Sequence, residues 1–250
     1  MNWSFILVTG ASFLLLFQTP DIRLEQFQHE AEQEFHKPIS ITESDKIGIN
    51  NGETSCDKNP VQIRIRKGLD PETREEVLAH ELGHAYLCAR GLVIITVTTP
   101  LAVEDGLANI VGPLGAAIGS CFIDPLVDAE IAKRGFKTDK MAEALLRKVS
   151  SHTRQDVHNS VARGDLYADL SAVGIYCSEL RYPSLPVEKF ENVFKDEPQV
   201  LTRLEALRRD LGNPTCSDTS SCIKIIERLR DEFELKRYVS VWNPETNNFE

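Results

Sequence analysis

Dense basic clusters are missing from this chain: its 28 Lys and Arg residues are outnumbered by 38 Asp and Glu, for a formal net charge of -10 over 250 residues. Proteins that hold nucleic acid or an anionic lipid surface do so through a concentrated cationic footprint, so neither is expected as a partner. None of the six cysteines stands in a C-x-x-C pair, which excludes the common zinc-finger spacings. Repeats and low-complexity tracts are also lacking. With 42% hydrophobic and 26% charged residues, the composition is that of an ordinary globular protein.

Charge is missing from the first segment too. Met1 to Pro20 carries no charged side chain, and Phe5 to Phe17 is apolar apart from Thr9, Gly10 and Ser12. That run has the length of a signal-peptide core and falls short of the about 20 apolar residues a spanning helix needs. Residues 1–20 therefore read as a signal peptide or an N-terminal anchor. A buried hydrophobic helix is the alternative, since no Lys or Arg precedes the run and Phe17-Gln18-Thr19-Pro20 is a poor small-residue cleavage site. Residues 21–250 read as one domain, expected outside the cytoplasm: secreted, periplasmic or membrane-anchored.

The richest chemistry lies in Val77 to Tyr86, V-L-A-H-E-L-G-H-A-Y. His80 and His84 are four apart, so on a helix both imidazoles lie on one face and can reach the same metal ion, with Glu81 beside the first. Two neutral imidazoles suit a divalent ion that leaves a coordination position open for water, and Glu81 can then take the water's proton. The plainer alternative is two surface histidines near a glutamate. Val77, Leu78, Leu82 and Tyr86 weigh against it, because they mark a helix in apolar surroundings where unpartnered polar groups are costly.

This string resembles the metal helix of the zincin-type metallopeptidases. The resemblance covers about ten residues and implies a Zn2+ cofactor, ligands at His80 and His84, Glu81 as general base, and a peptide or protein substrate. It also implies a zincin-like α+β fold, with a small sheet beside the metal helix. The metzincin branch has a glycine three residues past the second histidine and a third histidine three later; here those positions are Leu87 and Arg90. A third ligand is therefore expected elsewhere.

The search for it centres on Phe122 to Phe136, read as a helix beginning at Asp124-Pro125 and ending at Gly135. Asp124 and Asp128 are four apart and can face one way, so one could bind metal while the other accepts from a ligand imidazole. Asp128 is the favoured ligand here, because an Asp before Pro is an ordinary helix cap. Glu130 falls on the apolar stripe of the same segment. Glu104, 20 residues past His84, resembles the ligand of the glutamate branch of zincins, although Ala108 stands where that branch has an Asp. His152 and His158 could donate to an oxyanion, although a polar loop explains them as well.

The remaining elements follow from periodicity. Asp21 to Lys37 reads as a helix, Pro38 to Thr42 as a short strand, and Asn50-Asn51-Gly52 as a turn. Val61 to Arg66 alternates with period two and reads as a half-buried strand; the zincin resemblance implies that it is the edge strand along the cleft, and a sheet strand with a solvated basic face is the alternative. Asp70 and Pro71 open the metal helix and Gly91 follows it. Leu92 to Val97 reads as a buried strand or a hydrophobic crossing segment, and Leu107 to Phe122 as a closely packed segment. From about residue 138 the pattern is mainly helical, with segments at Met141 to Val149, Leu166 to Leu180, Val187 to Phe194, Val200 to Leu211 and Cys222 to Phe233. Arg237 to Trp242 closes the chain as a strand. Cys216 and Cys222 bracket a polar turn and are expected to form a disulfide, in keeping with export. Cys88, Cys121 and Cys177 are expected as buried thiols and Cys56 as unpartnered. The competing reading of the whole is a non-catalytic zincin-scaffold protein, binding or regulatory, with a structural metal.

Overall fold

A computed structural model describes residues 20–47, 51–92, 96–151, 154–183, 186–243 and 246–249. The expected leader thus lies outside the described residues, apart from Pro20, which opens helix α1 (Pro20–Phe35). Phe27 and Ala31 of α1 are buried where that helix packs on α2 (Pro71–Ala89). The architecture is mixed α and β, mainly helical, with two small sheets.

The first sheet contains β1 (Ile39–Ser44), β2 (Gly52–Ser55) and β3 (Val61–Arg66) in the order β1-β3-β2. β1 runs parallel to β3, and β2 runs antiparallel to it. Val61, Ile63 and Ile65 are fully buried while Gln62 and Arg64 are exposed, as the alternation predicts. The expected position of β3 needs correction, because it is the central strand and not the edge. Its three β-branched side chains bury best between two neighbours. The edge falls to β2, which packs against α2. The sequence G-E-T-S has no hydrophobic alternation, so only the turn before it is visible in the residues.

The start of α2 forms as its sequence requires. Asp70 is extended and accepts from the Thr73 amide at 3.0 Å, and Pro71 occupies the first turn, where its missing N–H costs nothing. The ten residues buried along α2 include both His80 and Glu81.

Helix α4 (Ala108–Ala132) corrects the reading of two separate segments. It runs without a break through Pro113 and Pro125, so Asp124 is a mid-helix residue and not a cap. A proline removes one backbone hydrogen bond and bends a helix. Here α4 is packed by α2, by α7 (Asp165–Arg181), by strand β4 (Thr96–Thr98) and by α10 (Thr219–Glu232), and this packing offsets the loss. By length and composition α4 could cross a membrane, but half of its most apolar stretch is buried inside the fold. It is the helix around which the others assemble.

The other helices are α3 (Pro100–Glu104), α5 (Asp139–Ser151), α6 (Arg154–Val161), α8 (Val187–Val193) and α9 (Pro198–Leu211). Of these, α6 replaces a stretch read as a polar loop. Strand β5 (Val239–Asn243) pairs antiparallel with both β4 and β6 (Asn248–Phe249). Residues 93–95 of the expected strand before β4, and His152, lie outside the described residues. The buried side chains of both halves form one continuous cluster.

All six cysteines are paired, as Cys56–Cys88, Cys121–Cys177 and Cys216–Cys222. The last was legible in the sequence. The first two overturn the reading of Cys88, Cys121 and Cys177 as buried thiols and of Cys56 as unpartnered. Their partners are 32 and 56 residues apart in the chain, and a distant pairing has no local signature. Cys121–Cys177 joins α4 to α7 within a turn of Asp124 and Arg181. The Cys121→Ser, Cys177→Ser double variant is therefore expected to lose about 2–5 kcal/mol of unfolding free energy. It should also hold a metal ion more weakly, as read by denaturant melts of metal-free protein and by metal titration. Parental affinity in a folded double variant would show that α4 and α7 dock correctly without the disulfide.

Candidate metal centre

Two helices build the site. Gly83, between the two histidines, marks where they meet: a Cβ there would stand 2.7 Å from Val127 Cγ1 and 3.0 Å from Ile131 Cγ2 on α4. Only a glycine permits that approach. It brings the histidine face of α2 up to the aspartates of α4.

The resulting geometry is compact. His80 Nε2 and His84 Nε2 are 3.0 Å apart, and Asp124 Oδ1 lies 3.4 Å from His84 Nε2 and 3.8 Å from His80 Nε2. Donors held about 2.1 Å from a tetrahedral ion stand roughly 3.4 Å from one another, and the three separations bracket that value. His80, His84 and Asp124 could thus hold a metal ion. His80 is buried, while the His84 side chain is 26% exposed, which makes it the most open member of the group.

Asp128 has a different position. Its Oδ1 lies 3.0 Å from His80 Nδ1, so a proton on Nδ1 can be donated to the carboxylate and Nε2 left free as a ligand atom. A carboxylate placed this way fixes the tautomer and orientation of a metal-binding imidazole. Asp128, favoured from sequence as the ligand, is thus placed as an acceptor behind His80, and Asp124 is the carboxylate that meets both Nε2 atoms.

Arg181, at the end of α7, locks the two aspartates together. Its Nη1 donates to Asp124 Oδ2 at 2.6 Å, its Nε to Asp128 Oδ2 at 2.7 Å and its Nη2 to Asp128 Oδ1 at 3.0 Å. The planar guanidinium matches this double demand in a way a lysine cannot. It leaves Asp124 Oδ1 facing the imidazoles. Periodicity places Arg181 only at the end of a helix, and the one available signal is chemical: two half-buried carboxylates need a cation.

These contacts set the charge states. Burial would raise the Asp124 carboxyl, but Arg181 and the two imidazoles outweigh it and hold the group well below the usual carboxylate range. Asp128 is lowered as well: burial opposes the shift, and the His80 hydrogen bond and Arg181 overcome it. His80 is pushed down, chiefly by burial and then by Arg181, and so stays neutral as a ligand must. For His84 burial pulls down, but Asp124 and then Glu81 outweigh it and the group sits above its ordinary value.

Glu81 is buried and lies against β2, where the Thr54 hydroxyl is 2.7 Å from its Oε2. Thr54, like Arg181, went unrecognised in the sequence. The other candidates lie apart from this cluster. Glu130 is buried but engaged by Lys133 and Arg134, each at 2.6 Å. Glu104 is exposed on α3. On α6, His158 Nδ1 stands 2.8 Å from Glu197.

Comparison with known proteins finds no matching family model, no matching curated protein and no matching solved structure. The three disulfides fit an oxidising, extracytoplasmic environment.

Proposed function

We propose that the chain is a zinc-dependent metallopeptidase of zincin type that hydrolyses peptide or protein substrates outside the cytoplasm. The observation that carries this reading is the convergence of His80 Nε2, His84 Nε2 and Asp124 Oδ1, with Glu81 on the same helix. Two nitrogens and one carboxylate oxygen form a donor set suited to zinc. A structural zinc site usually closes with four protein ligands. Among the described residues three donors converge, which favours the catalytic reading over a structural metal on a binding scaffold.

A zinc ion held by His80, His84 and Asp124 would supply Lewis acidity, making water more acidic and polarising the scissile carbonyl. The protein's own groups do the rest. Glu81 takes a proton from the attacking water as the C–O bond forms, then delivers it to the departing nitrogen as the C–N bond breaks; the water's second proton also passes to the amine, so the products are a carboxylate and an ammonium group. His80 is held neutral by burial, His84 would give up its proton when it takes the metal, and Asp128 orients His80. Arg181 holds the carboxylates in register. Strand β2, at the edge of its sheet and against α2, is the segment along which an extended substrate would pair.

The test combines metal analysis with proteolysis. Purified protein is expected to carry about one zinc per chain, in line with a single three-donor site, and to cleave an unstructured polypeptide. A chelator should abolish cleavage and added zinc restore it. Stoichiometric zinc with no cleavage across a broad peptide library would favour the scaffold reading.

A further inference from the structure

Glu81 is buried in a helix face that already holds two histidines, yet its carboxylate is not aimed by its own helix. It is met by strand β2. The Thr54 hydroxyl lies 2.7 Å from Glu81 Oε2 and 3.0 Å from the Glu81 main-chain oxygen. A hydroxyl has one hydrogen to give. The main-chain oxygen lies inside α2 and has helical N–H donors available, and a charged acceptor makes the stronger, shorter bond, so the hydrogen goes to the carboxylate. Two residues earlier, Gly52 leaves the space that the other oxygen fills: a Cβ on Gly52 would stand 2.5 Å from Glu81 Oε1, 2.7 Å from Cγ and 2.9 Å from Cδ. No side chain could occupy that space while Glu81 remained in place.

We infer that β2 is the seat of the general base, with Thr54 and Gly52 as positioning residues that fix the Glu81 carboxylate, one by holding Oε2 and the other by leaving room for Oε1. The inference rests on the peptidase reading and adds to it the residues that aim its base. The disulfide Cys56–Cys88 supports the same arrangement, because Cys56 directly follows β2 and Cys88 lies near the end of α2. The strand that aims Glu81 is thereby covalently fixed to the helix that carries it. Register contributes as well. Gly52 pairs with Ile65 and Thr54 with Ile63 of β3, and both isoleucines are fully buried. A one-residue slip of β2 would turn Thr54 to the opposite face.

Gly52→Ala is the sharpest test. The three atoms nearest the added methyl all belong to the Glu81 side chain and none to the backbone, so the fold tolerates it while the carboxylate must turn away. Thr54→Val removes the hydrogen bond at nearly constant shape, and Thr54→Ser restores it. Zinc content, kcat and KM on a fluorescence-quenched unstructured polypeptide are read for each variant. The 13C resonance of the Glu81 carboxyl carbon, assigned against Glu81→Gln, is read in metal-free protein. Gly52→Ala and Thr54→Val are expected to keep their zinc and their KM and to lose about 10–100-fold in kcat, as expected for a reacting group displaced by about 1 Å. The resonance should shift or broaden in both, and Thr54→Ser should recover most of the turnover. If the parent cleaves and both variants cleave as fast with the resonance unmoved, the inference is wrong while the peptidase reading stands. If the parent holds zinc and cleaves nothing, the peptidase reading falls and takes the seat's catalytic purpose with it; a resonance that still moves in both variants tells that outcome from the first.

Discussion

Glu81→Gln is expected to fold, to bind zinc as the parent does, and to lose about 100–10,000-fold in turnover, the usual contribution of a general base. The side chain is not among the three groups that converge to hold a metal, and it is seated on Thr54 of β2 instead. An amide in the same place keeps the shape and can still accept the Thr54 hydrogen through its carbonyl oxygen, so neither packing nor the helix is disturbed. What it loses is the ability to accept a proton from water. His80→Ala or His84→Ala should behave differently, losing metal and activity together. Chelator-sensitive cleavage of an unstructured substrate, measured beside zinc content, separates the two kinds of failure. Cleavage by Glu81→Gln at the parental rate would rule out Glu81 as the base.

The parts legible in the sequence are those governed by local rules. The four-residue spacing of His80 and His84, the Asp70-Pro71 start of α2 and the Val61-Ile63-Ile65 alternation all appear in the structure as the residues predict. The parts with no local signal depend on distant partners. Arg181 follows His80 by 101 residues and reaches it only because α7 packs along α4. Thr54 sits in a four-residue strand with no apolar face, between a turn and a cysteine, and its meaning comes entirely from the helix against it. Asp124 ranks behind Asp128 as a ligand on local grounds alone, since Asp before Pro usually caps a helix. The surrounding packing carries α4 through Pro125 and turns that aspartate inward. Cys121 and Cys177 likewise look like core thiols until the two helices are placed side by side. In each case tertiary packing overrode a local preference, and three of these residues, Asp124, Thr54 and Arg181, belong to the candidate site.

Asp124→Ala is expected to strip the metal, whereas Asp128→Asn should weaken its binding by about 10–100-fold, the usual cost of losing a partner behind a ligand. The asymmetry follows from the two oxygens of each carboxylate. Asp124 gives Oδ2 to Arg181 and presents Oδ1 to both histidine Nε2 atoms, so its removal leaves two ligands and takes one of the two carboxylates that balance Arg181 beside the site. Asp128 spends its oxygens on Arg181 and on His80 Nδ1. Its replacement by Asn leaves an amide oxygen that can still accept from Nδ1, while the charge that strengthens the imidazole as a donor is lost. Arg181→Met gives an independent check on the clamp. Removing the cation leaves two half-buried carboxylates unpaired, a change that typically costs about 3–5 kcal/mol of stability in metal-free protein. Zinc would then supply the positive charge that is missing, so the metal should raise the melting temperature of this variant by more than it raises that of the parent. Zinc titration of the two aspartate variants, with thermal melts of Arg181→Met with and without zinc, measures all three effects. Zinc binding by Asp124→Ala at parental affinity, together with its loss in Asp128→Asn, would reverse the assignment and make Asp128 the ligand.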